Sequence, residues 1–225
     1  MTVHLAGDST VAPAKPEEDP LTGWGEYLDE FVPDAVRNLA VGGATTASFI
    51  AEGRWDALLQ QVHPADWVLI QFGHNDQKEP ELLTASGGYR ENLLSFVRDV
   101  RERRANPVLL TSVERRLFDG GELRRTHGPY PQAVRDLAVE HEVPLIDANA
   151  FTRWLYEWLG PDRSEELFVH LAPGVSPAWP DGAADNTHFT HEGARTVAHF
   201  VARSLDGIRR VGEHEPAWGK WKVRP

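Results

Sequence analysis

Residues 3–10 read Val3-His4-Leu5-Ala6-Gly7-Asp8-Ser9-Thr10: a short strand, Val3 to Leu5, that runs straight into a glycine, a carboxylate and a hydroxyl. Four more short apolar runs follow, at Ala35 to Ala40, Trp67 to Phe72, Val108 to Val113 and Val143 to Ile146. Most lack polar alternation, as strands covered on both faces do. Between them apolar residues recur at helical spacing, in Trp24, Tyr27, Leu28 and Phe31 and again in Trp55, Leu58, Leu59 and Val62. Longer amphipathic helices are predicted at Tyr89 to Arg103, Tyr130 to Glu140, Ala148 to Leu159 and His191 to Leu205, the last capped by Thr190. This alternation predicts βαβ units, and so an α/β fold: a three-layer α/β/α sandwich around a flavodoxin-like, five-stranded parallel sheet.

The 225 residues lie between one typical domain and two, and with no repeat, low-complexity tract or linker the expectation is a single domain over residues 1–225. A hydrophobic content of 41% with 25% charged residues is ordinary for a globular chain. Thirty-four acidic against 23 basic residues give a net charge of −11, which argues against nucleic acid or an anionic membrane as partner. The absence of cysteine removes disulfides, thiolate nucleophiles and iron–sulfur clusters. Met1 to Thr10 shows no basic region followed by a long apolar run, so the expected location is cytoplasmic. Two long stretches are read as loop or tail: Pro161 to Asn186, rich in Pro, Gly and Asp, and Gly212 to Pro225, which carries Trp218 and Trp221.

In open α/β sheets, working groups lie just beyond the carboxyl ends of the strands. Four elements there carry chemistry. Ser9 follows the first strand, and Gly42-Gly43 follows the second. Gly73-His74-Asn75-Asp76 follows the third, and Asp185-Asn186-Thr187-His188 precedes the last helix. Taken singly, each also reads as turn chemistry or a surface histidine. Taken together, they supply what acyl transfer requires. A serine hydroxyl needs a base to take its proton, an aspartate three residues before a histidine can fix the imidazole tautomer, and a developing oxyanion needs N–H donors. The order Ser, Asp, His is that of α/β-hydrolases, but Ser9 lacks their G-x-S-x-G elbow.

The four blocks in this order resemble the SGNH, or GDSL-like, hydrolases, from Val3 to about Leu205. Within that superfamily, the runs Leu5 to Thr10, Gly23 to Leu28, Glu52 to Trp55, Phe72 to Asp76 and Asp185 to Phe189 are similar to rhamnogalacturonan acetylesterases, the twelfth carbohydrate esterase family. The resemblance implies Ser9 as nucleophile, His188 as general base and then acid, and Asp185 as its orienting carboxylate. It implies an oxyanion hole of the Ser9 and Gly43 amides with the Asn75 side chain, Gly42 being the neighbouring candidate. It implies no cofactor and no metal, and an acetylated pectin-type rhamnogalacturonan oligosaccharide as substrate, or else acetylxylan or another small ester. Ala44-Thr45 stands where Arg-Ser is frequent in the group, which leaves sugar contacts open.

Two other classes stay in view. A metal-dependent hydrolase would use Asp185, His188 and His191. A carbohydrate-binding module would use Trp179, Trp218 and Trp221, since Trp24, Trp55, Trp154 and Trp158 are expected in the core. Arg115, Arg116, His127 and Tyr130 are read as solvated charges and helix-start packing beside the crevice. Oligomeric state is left open.

Overall fold

The structure is a computed structural model that describes residues 1–214. Its main sheet is built from β1 (Thr2–Gly7), β2 (Ala35–Asn38), β3 (Trp67–Gln71), β4 (Asn106–Leu110) and, after two short strands β5 (Phe118–Asp119) and β6 (Glu122–Leu123), β7 (Leu145–Ile146). All neighbours pair in parallel, in the order β2-β1-β3-β4-β7. The chain winds outward from β1 in both directions, so the topological switch point lies between β1 and β3, the place where such sheets bind ligands.

Side chains alternate across the sheet. Val3 and Leu5 of β1 with Leu69 of β3 enter one core, together with α5 (Ala148–Ser164) and α6 (His191–His214). Ala6 of β1 with Val68 and Ile70 of β3 enters the other, against α1 (Thr46–Ala51), α2 (Arg54–Leu59), α3 (Gly88–Glu102) and α4 (Tyr130–Glu140). The result is the expected three-layer α/β/α sandwich.

The differences from expectation have local causes. Trp24 to Phe31 is a 3₁₀ helix over Trp24–Glu30, not an α-helix. A Cβ on Gly25 would stand 2.4 Å from the Val11 carbonyl oxygen, so this segment is pressed against the turn after β1 and forms a tighter coil. α5 runs beyond Leu159 to Ser164, but Gly160 adopts φ 75° and Pro161 follows, which breaks the helix there. The stretch Pro161 to Asn186 is not all loop. Within it β8 (Phe168–Leu171) forms, and it pairs antiparallel with β9 (Ala183–Phe189), anchored by buried Phe168 against buried Phe189. Trp24 and Trp55 are buried as expected, whereas Trp154 and Trp158 are 57% and 65% exposed. α5 buries Leu155 and Tyr156 and turns these two indoles to the outside. Trp218 and Trp221 lie outside the described residues. Among the described residues, no helix is long and apolar enough to cross a membrane.

Candidate active site

β1 ends in a turn set by its own side chains. The Asp8 carboxylate accepts from the Thr10 amide at 3.0 Å and from the Thr10 hydroxyl at 2.8 Å, and that hydroxyl accepts from Gln71 Nε2 at 2.7 Å. Gly7 is required by close approach rather than by a left-handed conformation: a Cβ there would meet the Gln71 carbonyl oxygen at 2.8 Å. Ser9 sits at the crest of this turn, half-buried, beside fully buried Asp8, whose carboxyl burial pushes up to about 6.

β9 brings the histidine to it. Asp185 Oδ1 accepts from the Thr187 amide at 2.7 Å and the His188 amide at 3.0 Å, which folds the strand's end around the carboxylate. Asp185 Oδ2 stands 2.7 Å from His188 Nδ1, and His188 Nε2 stands 2.9 Å from Ser9 Oγ. Burial alone would raise the Asp185 carboxyl. Its hydrogen bonds to the His188 side chain and amide outweigh this and hold it at about 2. An ionised carboxylate on Nδ1 favours the tautomer that leaves Nε2 a lone pair toward Ser9. His188 and Asp185 keep about a quarter of their side-chain surface exposed, so the line from carboxylate to hydroxyl is only partly closed off from solvent.

Unpaired backbone N–H groups lie in Ser9 and in the glycine pair beside it. The amides of Ser9, Gly42 and Gly43 donate to no acceptor among the described residues. Gly42 lies alongside Ser9, its built Cβ 3.8 Å from the Ser9 Cβ. Gly43 has φ +80°, the left-handed region that glycine enters at no steric cost. Asn75 reaches across from the loop after β3. Its Nδ2 donates to the Ala44 carbonyl at 3.1 Å, and its Oδ1 accepts from Lys78 Nζ at 2.8 Å. Asp76 ties the same loop to the glycine segment, accepting from the Thr46 amide at 2.8 Å and its hydroxyl at 2.7 Å. Asp185, His188 and Ser9 are therefore hydrogen-bonded in line at the switch point of the sheet, with Gly42 beside Ser9 and Asn75 tied to Ala44 of the same glycine segment.

Other candidates are placed elsewhere. His191 turns away from Asp185 and His188 to meet the Tyr27 hydroxyl and, at 2.9 Å, Asp19. Among the described residues, no three His, Asp or Glu side chains gather as a metal set. The Trp179 indole donates to the Glu18 carbonyl at 3.3 Å, which pins its loop. Arg115 and Arg116 are half-buried struts, not solvated charges. Arg115 donates to the His74 carbonyl at 3.2 Å, while Arg116 holds Asn186 of β9 through its amide at 2.9 Å and its guanidinium at 2.8 Å. Tyr130 opens α4 with its hydroxyl on the Leu83 carbonyl.

Sequence reasoning missed a buried group behind the site. Glu114 Oε1 stands 2.9 Å from His127 Nδ1, and His127 Nε2 stands 3.2 Å from His74 Nδ1. Hydrogen bonds from His127 and Thr126 hold the Glu114 carboxyl at about 2 against the opposing effect of burial. His74 has its pKa well below the ordinary histidine value, first because it is buried and then because cationic neighbours disfavour its charge, so it is neutral. Its Nε2 has no partner among the described residues.

Residues 5–196 match the GDSL-like Lipase/Acylhydrolase family. The chain is 46% identical over 213 residues to the rhamnogalacturonan acetylesterase RhgT of Bacillus subtilis (strain 168), covering 93% of this chain and 90% of that one. Among solved structures it resembles YxiM of Bacillus subtilis, with a TM-score of 0.76 and 25% identity over 94% of this chain and 56% of that one. The fold is also that of Axe2, an acetylxylan esterase from Geobacillus stearothermophilus, with a TM-score of 0.61 and 21% identity over 94% of each chain.

Proposed function

The chain belongs to the GDSL-like lipase/acylhydrolase family, a family of carboxylic ester hydrolases, and from that premise we propose that it is a serine acetylesterase acting on acetylated rhamnogalacturonan-type oligosaccharides. The observation that carries the reading is the continuous hydrogen-bonded line from Asp185 through His188 to Ser9, ending among unused N–H donors. The 46% identity to a rhamnogalacturonan acetylesterase supports the choice of sugar.

In this reading, His188 Nε2 takes the proton of Ser9 as Oγ attacks the acetyl carbonyl carbon. The carbonyl oxygen becomes an oxyanion, met by the amides of Ser9 and Gly43 and the free N–H of Asn75. The tetrahedral species collapses. The bond to the sugar oxygen breaks, that oxygen leaves with the proton from His188, and the acetyl group stays on Ser9. Water then attacks the acetyl-enzyme with His188 again as base, which releases acetate and restores Ser9. Asp185 stabilises the imidazolium at each stage and keeps the ring oriented.

The test is acetate release from p-nitrophenyl acetate and from acetylated rhamnogalacturonan and xylan oligosaccharides, by the wild type and Ser9→Ala side by side, with and without EDTA. The expected result is serine-dependent, EDTA-insensitive release with rhamnogalacturonan preferred. Preference for xylan overturns the choice of sugar, and loss of turnover with EDTA overturns the metal-free mechanism.

A further inference from the structure

We propose that Lys78 is a positioning residue for the oxyanion donor: it fixes which way round the Asn75 amide sits and polarises its N–H toward the developing charge. The inference rests on the ester-hydrolysis reading above.

The geometry follows from the local backbone. After β3 the chain makes a 3₁₀ turn over Asp76–Lys78, closed by the Lys78 amide on the Asn75 carbonyl at 2.9 Å. A 3₁₀ coil has three residues per turn, so side chains at i and i+3 eclipse one another. Lys78 is thereby stacked over Asn75, and its ammonium donates to Asn75 Oδ1 at 2.8 Å.

A primary amide has two acceptor sites on oxygen and two N–H donors, and rotating it by half a turn exchanges them. Here the Ala44 carbonyl takes one Nδ2 hydrogen at 3.1 Å, and the Lys78 ammonium occupies Oδ1. That leaves one N–H for a reacting oxygen. The Ala44 bond is a single neutral contact from the segment that supplies Gly43. The bond from Lys78 is charge-assisted, the stronger kind. Without it, the rotated amide, which would aim a lone pair at the oxyanion, is opposed only by the Ala44 contact. A cation on the carbonyl oxygen also withdraws electron density from the amide nitrogen, which strengthens the remaining N–H as a donor, as hydrogen bonds in a chain reinforce one another. This help is felt only when the acetyl oxygen carries charge, so it acts on the transition state more than on substrate binding.

Lys78 is exposed, and its removal leaves the core intact. The test is a double-mutant cycle with p-nitrophenyl acetate and an acetylated oligosaccharide, using Lys78→Met, Lys78→Arg, Asn75→Ala and the Asn75→Ala/Lys78→Met pair. Losing a whole oxyanion donor costs roughly 100- to 1000-fold. Disorienting one that remains present is expected to cost about tenfold in kcat with KM unchanged. Lys78→Arg is expected to restore most of that loss, and Lys78→Met is expected to add nothing in the Asn75→Ala background. Wild-type kcat in Lys78→Met overturns the proposal. So does a loss confined to KM, which would make Lys78 a substrate-binding group, or an equal loss in the Asn75→Ala background, which would mean the charge acts without Asn75. Ser9→Ala run alongside separates the two readings: if it retains turnover the esterase mechanism falls, and if it is inactive while Lys78→Met is unaffected only the role of Lys78 falls.

Discussion

Two carboxylate–imidazole lines converge on the same end of the sheet, and they differ in what lies at their ends. Asp185–His188 ends on Ser9, and its two side chains keep 29% and 26% of their surface exposed. Glu114–His127–His74 is one imidazole longer and sealed, with Glu114 and His127 side chains 2% and 1% exposed and the last nitrogen facing no hydroxyl. Both carboxylates are held at about 2 by the same kind of hydrogen bonds. Strong pKa perturbation therefore does not distinguish the two lines. Access and the terminal group do. The buried line braces the loop that presents Asn75, whose neighbouring carbonyl, that of His74, is also held by Arg115.

That contrast is testable at each end. Ser9→Ala and His188→Ala are each expected to lower kcat on p-nitrophenyl acetate by about 10⁵- to 10⁶-fold with little change in melting temperature, since residues that act as a unit are lost together. Asp185→Ala is expected to cost less, about 10⁴-fold, because the aspartate acts through the orientation and charge of His188. Steady-state kinetics on purified variants with matched circular dichroism checks both.

The buried line should respond in the opposite way. Glu114→Gln leaves His127, Thr126 and Arg153 without their anion. It is expected to cost about 3 kcal/mol of stability, read as a melting temperature lower by roughly 5–10 °C, while kcat measured well below the transition falls far less than in Asp185→Ala. A Glu114→Gln enzyme with wild-type stability and no turnover would reverse the assignment of the two lines.

The smallest expected effect lies in the acid limb of stability. The Glu114 carboxyl sits at about 2 in the folded protein against 4.5 as its ordinary value. Its contribution is therefore complete above about pH 5 and fades as pH falls toward 2. Chemical denaturation between pH 3 and pH 7 should give a shallower loss of stability in Glu114→Gln than in the wild type, to the extent of this one group.

The same contrast explains what the sequence made legible. All five sheet strands were marked by apolar runs, and α4 begins and ends at Tyr130 and Glu140 as its periodicity predicts. Asp185 and His188 are three residues apart, so their pairing is a local property of the chain. Glu114, His127 and His74 are drawn from three loops, and no spacing rule links them. β8 and the start of β9 lie in Pro161 to Asn186, where turn-rich composition outweighs the short apolar run that pairs with Phe189. Trp154 and Trp158 depart from the expectation because aromatic residues at helical spacing usually face a core, whereas on α5 that stripe faces outward. Lys78 carries no signal, since a lysine three residues after an asparagine is commonplace in any turn or helix start.

The central claim is that the acetyl group passes through Ser9. The most direct measurement is rapid acid quench of the enzyme during turnover of p-nitrophenyl acetate, followed by mass spectrometry of the peptide that carries residue 9. The account predicts an acetyl group on Ser9 in the wild type and none on the corresponding peptide of Ser9→Ala. Turnover by Ser9→Ala at the wild-type rate, or acetyl found only on another residue, would contradict it.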